Sequence, residues 1–156
     1  MNPSTIEMEK ESKGCLTEVF NAVRDFHIAF NHPHPNTLTK LTKDLKKARA
    51  AWMQEEINEF LLSDTIADDV DASLDCLYFC IGNLVSCGLT GEQVSYIFNL
   101  IQNANMGKLW KDGKPHYNEQ GKVIKPEGWV APDKKIREYI DEIIKVNANQ
   151  LEILNE

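Results

Sequence analysis

The sequence predicts an all-α fold: an antiparallel bundle of four to five helices with a small loop and β-hairpin insertion near residues 112–126. Three observations support this prediction. Apolar residues recur at threes and fours in successive segments. Capping residues and glycines punctuate those segments, and turn-forming sequence is concentrated in one late stretch. At 156 residues the chain reads as a single domain spanning 1–156, long enough to bury a core without disulfides.

The first helix is expected to begin near Ser4, where Ser4-Thr5-Ile6-Glu7 reads as a capping box. Leu16, Val19, Phe20, Val23, Phe26 and Phe30 then give it one buried stripe. Prolines 33 and 35 disfavour helix in the residues before them, so 31–36 is an extended connector. A second helix is expected from about Leu38 to Leu62, with Leu41, Leu45, Ala48 and Trp52 along its seam. Ser63-Asp64-Thr65 is too short for anything but an antiparallel return. The third helix follows from about Ile66 to Cys87, with Val70, Leu74, Leu77, Ile81 and Leu84 as its apolar stripe. Gly88 stops it, and Thr90-Gly91-Glu92-Gln93 is a second capping box opening a fourth helix with Val94, Ile97, Phe98 and Ile101 inward. Asp112-Gly113-Lys114-Pro115 and Asn118-Glu119-Gln120-Gly121 are turn-formers whose flanks can pair as a hairpin. Asp133 can cap a last helix carrying Ile136, Tyr139, Ile140, Ile143 and Ile144.

A net charge of −7 argues against duplex nucleic acid as a partner, because phosphate contacts need a basic face. The N-terminus lacks a basic region followed by an apolar run, and no stretch is apolar for long enough to span a bilayer. A cytoplasmic protein without membrane association is therefore expected. Cys76, Cys80 and Cys87 lie along one apolar helical stretch far from Cys15, in no zinc-like spacing, and are expected to pack as small hydrophobic residues.

Two acidic clusters stand out: Glu55-Glu56-Ile57-Asn58-Glu59, and Asp68 to Asp75 with Asp71 between. Glu55, Glu56 and Glu59 prolong the seam of Trp52 within a sector of about 100°. Asp68, Asp71 and Asp75, at i, i+3 and i+7, form an acidic stripe nearly opposite the apolar one. Antiparallel packing brings the end of the second helix, with its glutamates, beside the start of the third, with its aspartates. The usual explanation for helical carboxylates is a solvated face. Here the glutamates continue an apolar seam with little interleaved lysine or arginine, which favours a metal site. The chain has no Glu-x-x-His pair for an iron or manganese carboxylate bundle, and the clusters lack the histidine that zinc would favour, leaving Mg²⁺ or Mn²⁺ with oxygen ligands. Lys108, Lys111, Lys114, Lys122 and Lys125 could bind phosphate oxygens, with Asn105 and Trp129 as further substrate contacts. His27 reads as a satisfied semi-buried residue, and His32, His34 and His116 as loop residues without a role.

In this order the motifs resemble the all-α nucleoside triphosphate pyrophosphohydrolases, the MazG-like superfamily that also includes phosphoribosyl-ATP pyrophosphohydrolase and dimeric dUTPases. The resemblance rests on Glu55-Glu56-Ile57-Asn58-Glu59, on Asp71-Ala72-Ser73-Leu74-Asp75-Cys76-Leu77-Tyr78, on Asn105-Met106-Gly107-Lys108, and on Gly121 to Pro126 with Trp129 beyond. Arg49 and the Phe26-His27 segment also fit. The second acidic pair departs from the family's Glu-x-x-Asp, offering Asp68-x-x-Asp71 or Ala72-x-x-Asp75.

The resemblance implies cleavage of a nucleoside or deoxynucleoside triphosphate to monophosphate and pyrophosphate. It implies Glu56, Glu59, Asp68 and Asp71 as ligands of Mg²⁺, and Glu55 or Asp75 as the group that positions water or takes its proton. Arg49, Asn105, Lys108, Lys122, Lys125 and Trp129 would contact substrate, in a homodimer or tetramer. Two alternatives stay open: a non-catalytic helical binding module with a degraded metal site, and a phosphohydrolase acting on a non-nucleotide phosphate.

Overall fold

The computed structural model describes residues 15–153, the last four by backbone alone. Its regular secondary structure among the described residues is helical except for one small hairpin. The helices are α1 (Cys15–Ala29), α2 (Lys43–Leu62), α3 (Ile66–Ser86), α4 (Gly91–Met106) and α5 (Asp133–Ile153), and the strands β1 (His116–Tyr117) and β2 (Val123–Ile124) lie between α4 and α5. The Ser4 capping box lies outside the described residues. The chain divides into two compact units, with the boundary between Val94 and Ser95. No single helix among the described residues is long and apolar enough to cross a membrane.

In the unit ending at Val94, α2 packs most extensively on α3, across the three-residue connector, and α1 packs on α3. Phe20, Val23, Ala72, Ile81, Val85 and Leu89 form its buried core. α1 ends where Asn31 takes a left-handed conformation (φ 57°), which asparagine tolerates better than most residues. Phe30 therefore falls beyond the helix and is exposed, stacking on Phe26 at 4.3 Å; Val19 and Phe26 are exposed as well, so of the expected stripe only Phe20 and Val23 are fully buried.

The expected start of α2 at Leu38 is corrected to Lys43. Thr39 donates its N–H to Cys87 O at 2.9 Å, which holds residues 37–39 extended along the end of α3. Thr42 then caps the helix, accepting from Leu45 N–H at 3.2 Å. α3 ends as expected at a glycine: Gly88 has φ +78°, and a Cβ there would meet Thr37 O at 2.1 Å. The second capping box forms in full, with Thr90 N–H on Gln93 Oε1 at 3.0 Å and Gln93 N–H on Thr90 Oγ1 at 3.2 Å.

Several packing expectations are corrected. Phe98 and Ile101 of α4, expected inward, are exposed, as is Ile144 of α5. Val70, Leu74 and Leu77 are exposed, and so are Phe60, Leu61, Leu62 and Ile66 at the α2–α3 turn; only the later part of the α3 stripe, through Ile81, is core. Cys15 and Cys80 are exposed and Cys76 and Cys87 half-buried, all four as free thiols. Burial pushes the Cys80 and Cys87 thiols up.

In the unit from Ser95 on, Tyr96 of α4 meets Tyr139 of α5 at 4.5 Å between ring centres. The hairpin pairs His116 with Ile124 and Tyr117 with Val123. Its turn is closed by the Asn118 carboxamide oxygen, which accepts from Gln120 N–H and Lys122 N–H. Trp110 Nε1–H donates to Ile124 O at 3.1 Å and pins the hairpin to the loop before it. Asp133 is the first helical residue of α5 rather than its cap.

Candidate active site

The acidic group is built by the α2–α3 hairpin. Glu55, Glu56 and Glu59 lie in the last turns of α2 and Asp68, Asp71 and Asp75 in the first turns of α3, so the short connector brings them to one end of the pair. Glu56 is the half-covered member. Partial loss of water pushes its carboxyl above the ordinary range, and the negative charges of Glu59, Asp75, Glu55 and Asp71 push it further. This places Glu56 within electrostatic reach of carboxylates from both helices. Asp68 is engaged locally: Thr65 Oγ1–H donates to its Oδ2 at 2.7 Å, while Asp68 N–H returns to Thr65 Oγ1 at 3.2 Å.

Among the described residues no lysine or arginine forms an ion pair with this group, and no three His, Cys, Asp or Glu side chains already stand at cage spacing. The donors nonetheless fit a hard divalent cation. They are oxygen only, come from facing helices, and leave negative charge uncompensated within the fold.

Two turns before Glu56 on α2, Arg49 is 5 % exposed. Its Nε has no hydrogen-bond partner, and loss of water lowers its pKa. The guanidinium carbon stands 5.9 Å from the Trp52 ring centre. Beside it on α1 is His27, 2 % exposed, with Nδ1–H donating to Pro33 O at 2.8 Å. On the next turns of α3, Asn83 donates to Met53 Sδ while its own Oδ1 is buried without a partner.

The basic and aromatic residues lie in the other compact unit. Lys125 Nζ stands 4.2 Å and Lys108 Nζ 5.6 Å from the Trp129 ring centre. Lys108 also donates to Asn105 Oδ1 at 2.8 Å, and Trp129 is fixed by its indole N–H on Ala104 O at 2.7 Å. Asn105, Lys108, Lys125 and Trp129 are thus one cluster. Lys122, at the hairpin turn, is not placed over that ring. Behind the indole is a cleft of about 320 Å³, lined by Asn103, Ala104, Gly107, Trp129 and Lys135 among others. An arrangement of this kind, two ammonium groups over an indole face, can receive phosphate oxygens and a flat ring.

His116 is not the roleless loop residue expected. It stacks on Trp110 at 4.4 Å and donates Nε2–H to Asp112 Oδ2 at 3.0 Å. Asp112 is held below the usual carboxylate range first by Lys114 N–H and then by His116. A cleft of about 670 Å³ opens beside these residues, with Lys111, Pro126 and Glu127 on its wall. Trp110 and His116 on either side of the Asp112-Gly113-Lys114-Pro115 turn were the available signal in the sequence.

Residues 23–105 match the family model described as phosphoribosyl-ATP pyrophosphohydrolase. Among solved structures, the chain is similar to that of a candidate NTP pyrophosphohydrolase from Exiguobacterium sp. 255-15. The two are 26% identical, the match covers 83% of this chain and 97% of that one, and the TM-score is 0.46. No curated protein gives a significant match.

Proposed function

The chain belongs to the phosphoribosyl-ATP pyrophosphohydrolase family, and on that premise we propose a specific reaction. It hydrolyses a nucleoside or deoxynucleoside triphosphate between the α and β phosphates, in a Mg²⁺-dependent way, releasing monophosphate and pyrophosphate. One observation carries this reading: Glu56 is crowded by Glu55, Glu59, Asp71 and Asp75, and among the described residues no lysine or arginine pairs with them.

In this reading Glu56, Glu59, Asp68 and Asp71 hold the metal, with Mn²⁺ as a substitute. When bound, the ion supplies Lewis-acid neutralisation of phosphate charge. Asp75 or Glu55 orients the attacking water and takes its proton as general base. Lys108, Lys125 and Lys122 stabilise the charge that develops on departing pyrophosphate. Asn105 and Trp129 contact sugar and base, and Arg49 accepts an anionic group of the substrate. The working form is a homodimer or tetramer within the cytoplasm. Supporting that state is the exposed apolar strip on α2 and α3, running from Leu62 and Ile66, 80 % and 83 % exposed, to Leu74 and Leu77. Strips of this size on a soluble chain mark contact surfaces, and a second copy of the same strip is self-complementary about a two-fold axis.

The test is a panel of standard, deoxy and modified triphosphates together with phosphoribosyl-ATP, assayed with and without Mg²⁺. Turnover of at least one nucleotide only with metal supports the reading. A chain that binds no Mg²⁺ by calorimetry is instead a helical binding module, and cleavage confined to non-nucleotide phosphates assigns a different substrate class.

A further inference from the structure

Resting on the proposed substrate contact of Arg49, we propose that His27 is a positioning residue. Its Nε2 and the bare backbone of Gly82 together fix the Arg49 guanidinium as the receptor for a substrate phosphate.

A guanidinium as buried as Arg49 ordinarily meets a carboxylate, because removing a cation from water without a partner is costly. Arg49 has no carboxylate partner among the described residues, and its Nε–H is unsatisfied. What it has instead is a niche. A Cβ on Gly82 would lie 2.6 Å from Arg49 Nη1 and 3.0 Å from His27 Nε2, so the missing side chain is the space both nitrogens occupy.

The tautomer of His27 follows from its other contact. Pro33 O accepts from His27 Nδ1–H at 2.8 Å and from Ser86 Oγ–H at 3.0 Å, so the ring proton is committed there. Nε2 then presents a lone pair to the niche. Burial lowers the pKa of the ring; the Pro33 hydrogen bond opposes this, and the charges of Arg49, His32 and His34 act with burial. A protonated ring would set a second cation against Arg49. Glu56 is seven residues on from Arg49 along α2, roughly 10 Å, so a triphosphate held through a cation on the carboxylates can extend to the guanidinium.

The experiment measures calorimetric affinity for inorganic tripolyphosphate with Mg²⁺, alongside KM and kcat for the best triphosphate, with circular dichroism to verify folding. His27→Asn keeps a donor for Pro33 O and leaves nothing at Nε2. It should weaken tripolyphosphate binding and raise KM by about tenfold, with kcat within about threefold of wild type. His27→Gln, whose amide reaches the Nε2 position, should recover most of the loss. Gly82→Ala, whose Cβ would crowd Arg49 Nη1 most and His27 Nε2 next, should reproduce it while the imidazole itself is retained. In an Arg49→Lys background, His27→Asn should add no further loss. Additive losses, unchanged binding in Gly82→Ala, a fall in kcat alone, or no tripolyphosphate binding by wild type would each overturn the proposal. A wild type that binds tripolyphosphate in this Arg49- and His27-dependent way but cleaves no triphosphate upholds the positioning role and removes the proposed reaction.

Discussion

The Lys125 ammonium stands 4.2 Å above the centre of the Trp129 ring, and that ring is itself held by its N–H on Ala104 O. A cation over an indole is stabilised by about 0.5–2 kcal/mol, which holds Lys125 in the cluster proposed to contact substrate. Lys125→Ala should therefore raise KM about tenfold or more. Trp129→Leu should produce a comparable rise by releasing Lys125 and Lys108 together. Steady-state kinetics on both variants and the double mutant should show strong non-additivity, and independent effects would separate the lysines from the ring.

Asp71 and Asp75 both act on Glu56, yet they are assigned different work. Asp71→Asn should weaken Mg²⁺ binding measured by calorimetry, because a ligand is lost. Asp75→Asn should leave metal affinity near that of wild type and lower kcat by about 10²–10⁴, the usual range for a general base. The opposite pattern would exchange the two roles.

Leu74 is 57 % exposed in the middle of the apolar strip on α3. If a second copy covers it, Leu74→Glu should convert the protein to monomer by light scattering, with helicity retained. A wild-type monomer at micromolar concentration would mean that the strip is not an interface between copies.

His27 gives stability a definite pH dependence. Burial lowers its pKa from 6.5, so the unfolded chain binds a proton that the folded chain resists. The stabilising contribution is complete above about pH 6.5 and is lost as pH falls through the depressed folded pKa. Urea midpoints should therefore drop for wild type below that pH and drop less steeply for His27→Gln. Parallel curves would show that the ring is not the titrating group.

Much of this was legible because it depends on residues close in sequence. Thr90 and Gln93 cap α4 from three residues apart, and Gly88 marks the end of α3 by a conformation few other residues adopt. The convergence of Glu56 with Asp71 and Asp75 followed from helical spacing and a short connector. What depended on distant partners was not legible. Leu38 reads as helical until Cys87 O takes the neighbouring Thr39 N–H. Val70, Leu74 and Leu77 show the limit of periodicity, which identifies an apolar face without saying what covers it. His27 looked semi-buried because its burial depends on Pro33 and Gly82, brought from separate elements.

The central claim concerns which bond breaks, and phosphorus NMR of the products with Mg²⁺ present tests it most directly. Wild type should yield nucleoside monophosphate and pyrophosphate, and Glu56→Gln, still helical, should yield neither. Nucleoside diphosphate with inorganic phosphate, or undiminished turnover by Glu56→Gln, would contradict the account.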